Sequence, residues 1–203
     1  MGLYSGSISA ARFEVAPIEI DNKKQEELFD KIVEFSFKED SSNTKEITIG
    51  WVCARDPFSE LFSITDIFFG QYLILGLRID KRSVPSALLR KFYIQKERAI
   101  LEDSGKKALS KKEKKLLKER IFYNLLKKTL AVPKICEFVW HLESGQLFFL
   151  ATQIKVIEYF EHLFKKTFGF NPKPMIPYYT ALSLLDSEDY RSKLNSIEPE
   201  RFL

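Results

Sequence analysis

KKALSKKEKKLLKERIFYNLLKKTLAVPK, residues 106–134, is the stretch on which the reading of this chain turns. Eleven of its 29 residues are Lys or Arg: Lys106, Lys107, Lys111, Lys112, Lys114, Lys115, Lys118, Arg120, Lys127, Lys128 and Lys134. Only Glu113 and Glu119 oppose them, so the stretch carries +9, while the whole chain is +4 and its other 174 residues sum to −5. Charge segregated this strongly marks an element that meets a polyanion, and nucleic acid is the first partner it suggests. Ser110 and Glu113 stand at capping-box spacing, so a helix is predicted from Lys111. Leu117, Ile121 and Leu125 recur at i, i+4 and i+8, flanked by Leu116, Phe122 and Leu126, which gives that helix an apolar stripe. Pro133 is expected to close it.

Upstream, Pro85 opens a long helical region, since its fixed φ suits a first turn. Leu88, Leu89, Phe92 and Ile100 supply a predicted buried stripe, and Asp103-Ser104-Gly105 interrupts the helix. Two antiparallel helices joined near Gly105 would then present a basic outer face. Further upstream, residues 3–15 alternate as a strand with Phe13 and Val15 on one face. Asp21-Asn22 marks a helix start, and Leu28, Ile32 and Phe35 have helical spacing. The polar run 39–45 reads as a loop. Residues 47–53, 61–69 and 72–79 read as strands, with a tight hairpin turn at Gly70-Gln71.

Downstream, residues 135–142 and 146–151 read as strands around a turn at Glu143-Ser144-Gly145. A helix follows over 154–168, with Gly169 as its C-cap. Pro172, Pro174 and Pro177 form a connector to a short helix near Tyr179 to Leu185, and the last dozen residues are polar and expected to be loosely held. The two halves share an order of elements, but no residue-level repeat links them.

With 203 residues, 45% of them hydrophobic and 18 of them Phe, the chain has the means to bury a substantial core rather than remain disordered. No apolar run reaches the roughly 18–20 residues that span a bilayer. The start lacks a signal-peptide layout, and Gly6 stands where myristoylation needs Ser or Thr. Cys53 and Cys136 are far apart in apolar surroundings, which suits buried free thiols in a reducing cytoplasm.

The central part of the chain resembles the RdgC family of bacterial recombination-associated proteins. The residues that carry this are Gly50-Trp51-Val52, then Gly70-Gln71-Tyr72-Leu73-Ile74, then Val84-Pro85-Ser86 ahead of a long helix. Next come Leu109-Ser110-Lys111-Lys112-Glu113-Lys114, Leu117-Lys118-Glu119 and Leu125-Leu126-Lys127-Lys128. The hairpin Phe138-Val139-Trp140 and Ser144-Gly145-Gln146-Leu147 completes the series, which spans residues 45–178. The resemblance implies a DNA-binding protein of the nucleoid that restrains RecA-driven strand exchange. It further implies a ring-like homodimer with a positive inner surface around duplex DNA, and a hydrophobic dimer contact at the tip of the helical arm, matched here by Leu130. Typical members continue past the point where this sequence ends, so it resembles a short form lacking the C-terminal portion that completes one dimer contact.

Density of cations on a common face is all that phosphate contact and counterion release require. The DNA-binding residues expected are therefore Lys106, Lys107, Lys111, Lys112, Lys114, Lys115, Lys118, Arg120, Lys127 and Lys128. Lysine-rich helix faces are also common as plain solvated surface, which is the bland alternative. Arg78, Lys81, Arg82, Arg90 and Lys91 are candidates to extend the surface, each read first as solvated. No helix-turn-helix or zinc-finger pattern points to base readout, so sequence-tolerant binding is expected, duplex favoured and single strands possible.

Other chemistries find less support. The RdgC family has carried an exonuclease label, and a two-metal nuclease needs converging carboxylates. Asp56, Glu60 and Asp66, or Glu102 with Asp103, or Asp186, Glu188 and Asp189, are the candidates, none within a nuclease motif. His141 and His162 lack partners at metal-ligand spacing. No catalytic residue, metal or cofactor is assigned, and a metal-dependent DNA exonuclease stands as the alternative function. Peripheral membrane binding by the basic helix is a third reading, disfavoured because the apolar side of that helix is needed for packing. The aromatics Phe62, Phe68, Phe69, Phe148, Phe149, Tyr159, Phe160 and Phe164 are read as core, leaving Phe122 and Tyr123 open for base stacking.

The sequence thus predicts an α+β protein with antiparallel sheets, packed helices and a protruding basic helical arm made of a helix pair. Its expected units are residues 1–84, an arm over 85–133, and a hairpin-plus-helix unit over 134–203. The expected function is non-sequence-specific DNA binding that limits recombinase access, in a cytoplasmic, nucleoid-associated homodimer.

Overall fold

The computed structural model describes residues 3, 8–42, 44–59, 61–185 and 187–197. Strand β1 (Ala11–Glu14) begins later than the alternation suggests, and residues 4–7 of that expected strand lie outside the described residues. Phe13 and Val15 point inward together, as their spacing predicts. Helix α1 (Asn22–Glu34) starts where the Asp21 carboxylate accepts the Lys24 N–H at 2.7 Å, and it buries Leu28 and Ile32. Strand β2 (Ile47–Val52) follows the polar loop.

The strand expected over residues 61–69 is instead one helical turn, α2 (Ile64–Ile67), and a short strand, β3 (Phe68–Phe69). Its cause is local. The Ser63 backbone N–H and hydroxyl both donate to the Asp66 carboxylate at 2.7 Å, which holds a turn where apolar content alone suggests extension. Strand β4 (Tyr72–Lys81) then returns through Gly70-Gln71, with Phe69 opposite Tyr72 and Gly70 at φ 61°, the predicted hairpin turn.

Helices α3 (Ser86–Ser104) and α4 (Lys111–Leu126) come next, followed by β5 (Val132–His141). Strands β4 and β5 pair antiparallel from Tyr72 opposite His141 to Lys81 opposite Val132. The helix pair is therefore an insertion between two residues that face each other across one rung of the sheet. Gly105 ends α3 in the left-handed region at φ 66°, and each helix has the other as its main packing partner.

That partnership corrects the predicted stripe of α3. Leu88 and Ile100 are exposed, Leu89 and Phe92 are half-buried, and no residue of the helix is fully buried. One facing helix cannot cover a stripe that the spacing would suit to a sheet. In α4, Ile121 and Leu126 are buried, Leu117, Phe122 and Leu125 are half-buried, and Leu116 is exposed. This helix ends at Leu126 rather than at Pro133, which is the second residue of β5, opposite Asp80. A proline is tolerated near the start of a strand, where its missing N–H costs least.

After β6 (Gln146–Phe149), helix α5 (Ile154–Phe168) spans the predicted residues and ends at Gly169, φ 79°. The Pro-rich connector contributes an unexpected strand, β7 (Lys173–Pro174), paired with β1. Helices α6 (Pro177–Leu184) and α7 (Glu188–Ser196) follow, so part of the expected loose tail is helical, capped by the Ser187 hydroxyl, and residues 198–203 of that tail lie outside the described residues. Among the described residues the strands form one antiparallel sheet of seven, ordered β2-β4-β5-β6-β1-β7, with β3 also on β4. Among the described residues no helix is long and apolar enough to cross a membrane.

Aromatic packing fastens α5 to the sheet. Phe160 stacks on Phe149 with ring centres 4.2 Å apart, and Phe164 meets Trp140 edge-on at 5.1 Å. The buried Trp51 indole donates to the Thr167 hydroxyl at 2.8 Å, which donates in turn to the Leu163 carbonyl at 2.9 Å. Each such buried side chain contributes about 1.5–3 kcal/mol. Phe68, Phe149, Phe160 and Phe164 are core residues as read, while Phe62, Phe69, Phe148 and Tyr159 are half-buried at its edge. Cys53 and Cys136 are buried free thiols, and burial pushes the Cys136 thiol above its ordinary pKa.

Gly50 shows how tightly β2 is overlaid. Phe37 donates its N–H to the Trp51 carbonyl at 2.8 Å, and a Cβ on Gly50 would lie 2.3 Å from the Phe37 Cα. Backbone cannot step aside as a side chain does, so Gly50→Ala is expected to cost about 1–3 kcal/mol. A lower urea midpoint with unchanged slope is the expected result; an unchanged midpoint would mean that the 35–37 segment yields freely.

Candidate nucleic-acid interface

The cap of α4 fixes where its lysines stand. The Ser110 backbone N–H donates to Glu113 at 2.8 Å, and the Glu113 N–H donates back to the Ser110 hydroxyl at 3.3 Å. Glu113 also accepts from Lys106 at 2.8 Å, tying the inter-helix connection to the first turn. The position matters because Lys111 and Lys112 sit at the positive end of the helix dipole, where a carboxylate is favoured and cations are not. Lys127 and Lys128 lie just past the last turn, where the dipole favours positive charge.

All ten predicted DNA-binding residues are exposed. Three are partnered: Lys106 with Glu113, Lys114 with Glu97 at 3.4 Å, and Lys115 with Glu119 at 4.0 Å. Lys107, Lys111, Lys112, Lys118, Arg120, Lys127 and Lys128 have no ion-pair partner among the described residues. Exposed pairs of this kind are screened by water and salt and are too weak to withhold the lysines from a phosphate.

The single basic outer face divides into two. At about 100° per residue, Lys111, Lys114, Lys115 and Lys118 fall within roughly 100° of arc, and Lys112, Arg120 and Lys127 fall on another, about 150° away. Lys114, Lys115 and Lys118 of the first arc line an open groove of about 570 Å³ with Ser86, Leu89, Arg90 and Tyr93 of α3. Four cations thus converge on one concavity between the helices. Its counter-charge is Glu97, which accepts from the Tyr93 hydroxyl at 3.1 Å and pairs with Lys114. Burial and the Glu97 carboxylate raise the Tyr93 pKa.

Arg90 joins this groove, and Lys81 and Lys91 are exposed, but Arg78 and Arg82 are not part of any cationic surface. Arg78 is buried, donating to Asp80 at 2.8 and 2.9 Å and lying 4.1 Å over the Phe37 ring. Arg82 is buried against Asp40 at 3.3 Å and the Lys45 carbonyl at 3.2 Å. Both guanidinium groups tie the 39–45 loop to β4. Tyr93 and Glu97 went unrecognised in the sequence, since their bearing on the lysines depends on how two helices separated by a turn are aligned.

Leu130, expected at the tip of a helical arm, lies at the sheet end of the helix pair. The two helices join around Gly105, whereas Leu130 lies between the end of α4 and β5, 87% exposed, on a groove with Ile47, Ile79, Val132 and Tyr159. His141 ends β5, where its Nδ1 accepts the Ser144 N–H at 3.1 Å and its ring meets Tyr72 edge-on. Among the described residues no three His, Cys, Asp or Glu side chains are grouped to hold a metal ion. Of the candidate carboxylates, Glu60 and Asp186 lie outside the described residues, and Asp66 serves the Ser63 turn.

A seven-stranded antiparallel sheet, with a lysine-bearing helix pair inserted between two paired strands, defines the protein as α+β with a cationic insertion. The family model described as "Putative exonuclease, RdgC" matches residues 13–184, and the chain belongs to the RdgC family. A search of curated proteins finds no match.

The cap is open to a direct measurement. Lys106 and the Ser110 groups hold the Glu113 carboxyl down, from 4.5 to about 2. A depressed folded-state value means that this contact stabilises the fold fully above the unfolded pKa and is lost as pH falls from about 4.5 towards 2. Carboxyl NMR should place the Glu113 midpoint near 2 and show it rising in Lys106→Ala. A midpoint near 4.5 in the unaltered protein would remove the pairing.

Proposed function

We propose that this protein binds DNA without reading its sequence, duplex favoured, through the cations of the α3–α4 groove. The observation that carries the reading is the convergence of Arg90, Lys114, Lys115 and Lys118 on one open concavity. Ammonium and guanidinium groups at the surface neutralise phosphates and release condensed counterions, and this favours any sequence alike. The helix pair acts as an arm projecting from the sheet and tracks the backbone. Self-association as a homodimer, with Leu130 in the contact, would wrap a second arm around the same duplex and keep a recombinase such as RecA from it. The nucleoid is where such a protein would act.

The exonuclease label that the family carries favours one other reading, here a metal-dependent DNA exonuclease. The two separate in one set of titrations. Labelled duplexes of unrelated sequence should bind alike, with log K falling against log salt at a slope of roughly −3 to −4 for four neutralised phosphates. Replacing Lys114, Lys115 and Lys118 together by Glu should lower affinity by about tenfold or more and flatten that slope by roughly 3. Undiminished binding by the triple variant would remove the groove from the interface. Shortening of linear DNA on adding Mg²⁺, stopped by a chelator, would instead favour the exonuclease.

A further inference from the structure

The second arc of α4 carries something the first lacks. Lys112, Leu116, Arg120, Tyr123 and Lys127 follow one another at spacings of four, four, three and four, which places all five on one side of the helix. All five are exposed, with Tyr123 at 56%. The Tyr123 ring is braced edge-on by Phe122, centres 5.7 Å apart, and its hydroxyl has no partner among the described residues. Neither the core nor a local hydrogen bond accounts for an aromatic ring held there. Two acids border the strip, one on each side: Glu119, loosely paired with Lys115 at 4.0 Å, and Glu113, engaged by the Ser110 cap and by Lys106 at 2.8 Å.

We infer that this strip is a binding site for single-stranded DNA, in which a base stacks on Tyr123 while Arg120 and Lys127 hold the flanking phosphates. An exposed ring between cations is what a single strand requires, because its bases offer free π-faces that a duplex keeps stacked. Leu116 adds apolar surface about two turns towards the helix start. The α3–α4 groove offers no exposed ring of this kind, since Tyr93 is half-buried and bonded to Glu97. The inference rests on the proposed DNA binding and adds that one helix meets two forms of DNA on two sides. It gives a physical route to holding a displaced strand beside its duplex.

The test uses the full chain and three labelled ligands: a thymidine oligonucleotide, an abasic oligonucleotide of equal length, and a duplex. The protein should bind the thymidine strand more tightly than the abasic one. Tyr123→Ala should reduce thymidine-strand affinity about tenfold, to near the abasic level, and leave abasic and duplex affinities within about twofold. Tyr123→Phe, which keeps the ring, should retain wild-type binding. Unchanged thymidine-strand affinity in Tyr123→Ala, equal losses on all three ligands, or equal wild-type binding of thymidine and abasic strands would each overturn the stacking site. Failure of the wild-type protein to bind any ligand at low salt would overturn the DNA reading itself, and the strip with it.

Discussion

The ladder between β4 and β5 is the constraint on which the rest of the molecule depends. It holds Lys81 opposite Val132, so the chain must leave the sheet and return to it at one rung. A helix pair is an economical solution, and helices of 19 and 16 residues give it two limbs of about 28 and 24 Å. Each limb buries its apolar surface chiefly against the other. That leaves Leu89, Phe92, Leu117 and Leu125 only half-buried, and it also leaves the intervening lysines in water. The same topology that weakens the packing of the pair keeps its charges available.

The contrast with the arginines of β4 is instructive. Arg78 and Arg82 are fixed inside the protein by Asp80 and Asp40, and the Ser42 hydroxyl, the Lys45 N–H and Arg82 hold the Asp40 carboxyl down at about 2. Removing either partner of such a buried pair would strand a charge, which is far costlier than losing an exposed pair. On the helix pair the reverse holds, and Glu97 of α3 with Glu113 and Glu119 of α4 temper a crowd of lysines without neutralising it. Local acids of this kind relieve like-charge repulsion along the helix while the net field stays positive.

Much of the fold was legible because local rules and global packing agree. The Ser110–Glu113 cap, the Gly70-Gln71 hairpin and the limits of α5 each follow from residues within a few positions of one another. Legibility failed where a distant partner decides. The spacing of Leu88 and Ile100 describes a helix correctly but is silent on whether a sheet lies beneath it. Arg78 and Arg82 look like Arg90 in the sequence, and only pairing with Asp80 and Asp40 sends them inward. Residues 61–69 read as a strand because their apolar content masks the pair of Ser63–Asp66 hydrogen bonds that bends them. In the candidate site the lysines announced themselves, while their division into two arcs and the presence of Tyr93 and Glu97 needed the helix alignment.

The single-rung root of the helix pair bears, finally, on how chains of this design can diverge. Register in the sheet is set on the near side of Lys81 and Val132, and nothing beyond them enters it. Turns inserted symmetrically on either side of Gly105 would extend the pair by about 5 Å each without disturbing a strand. The length of the helix pair and the stability of the fold can then be selected separately, the second through the aromatic core under α5.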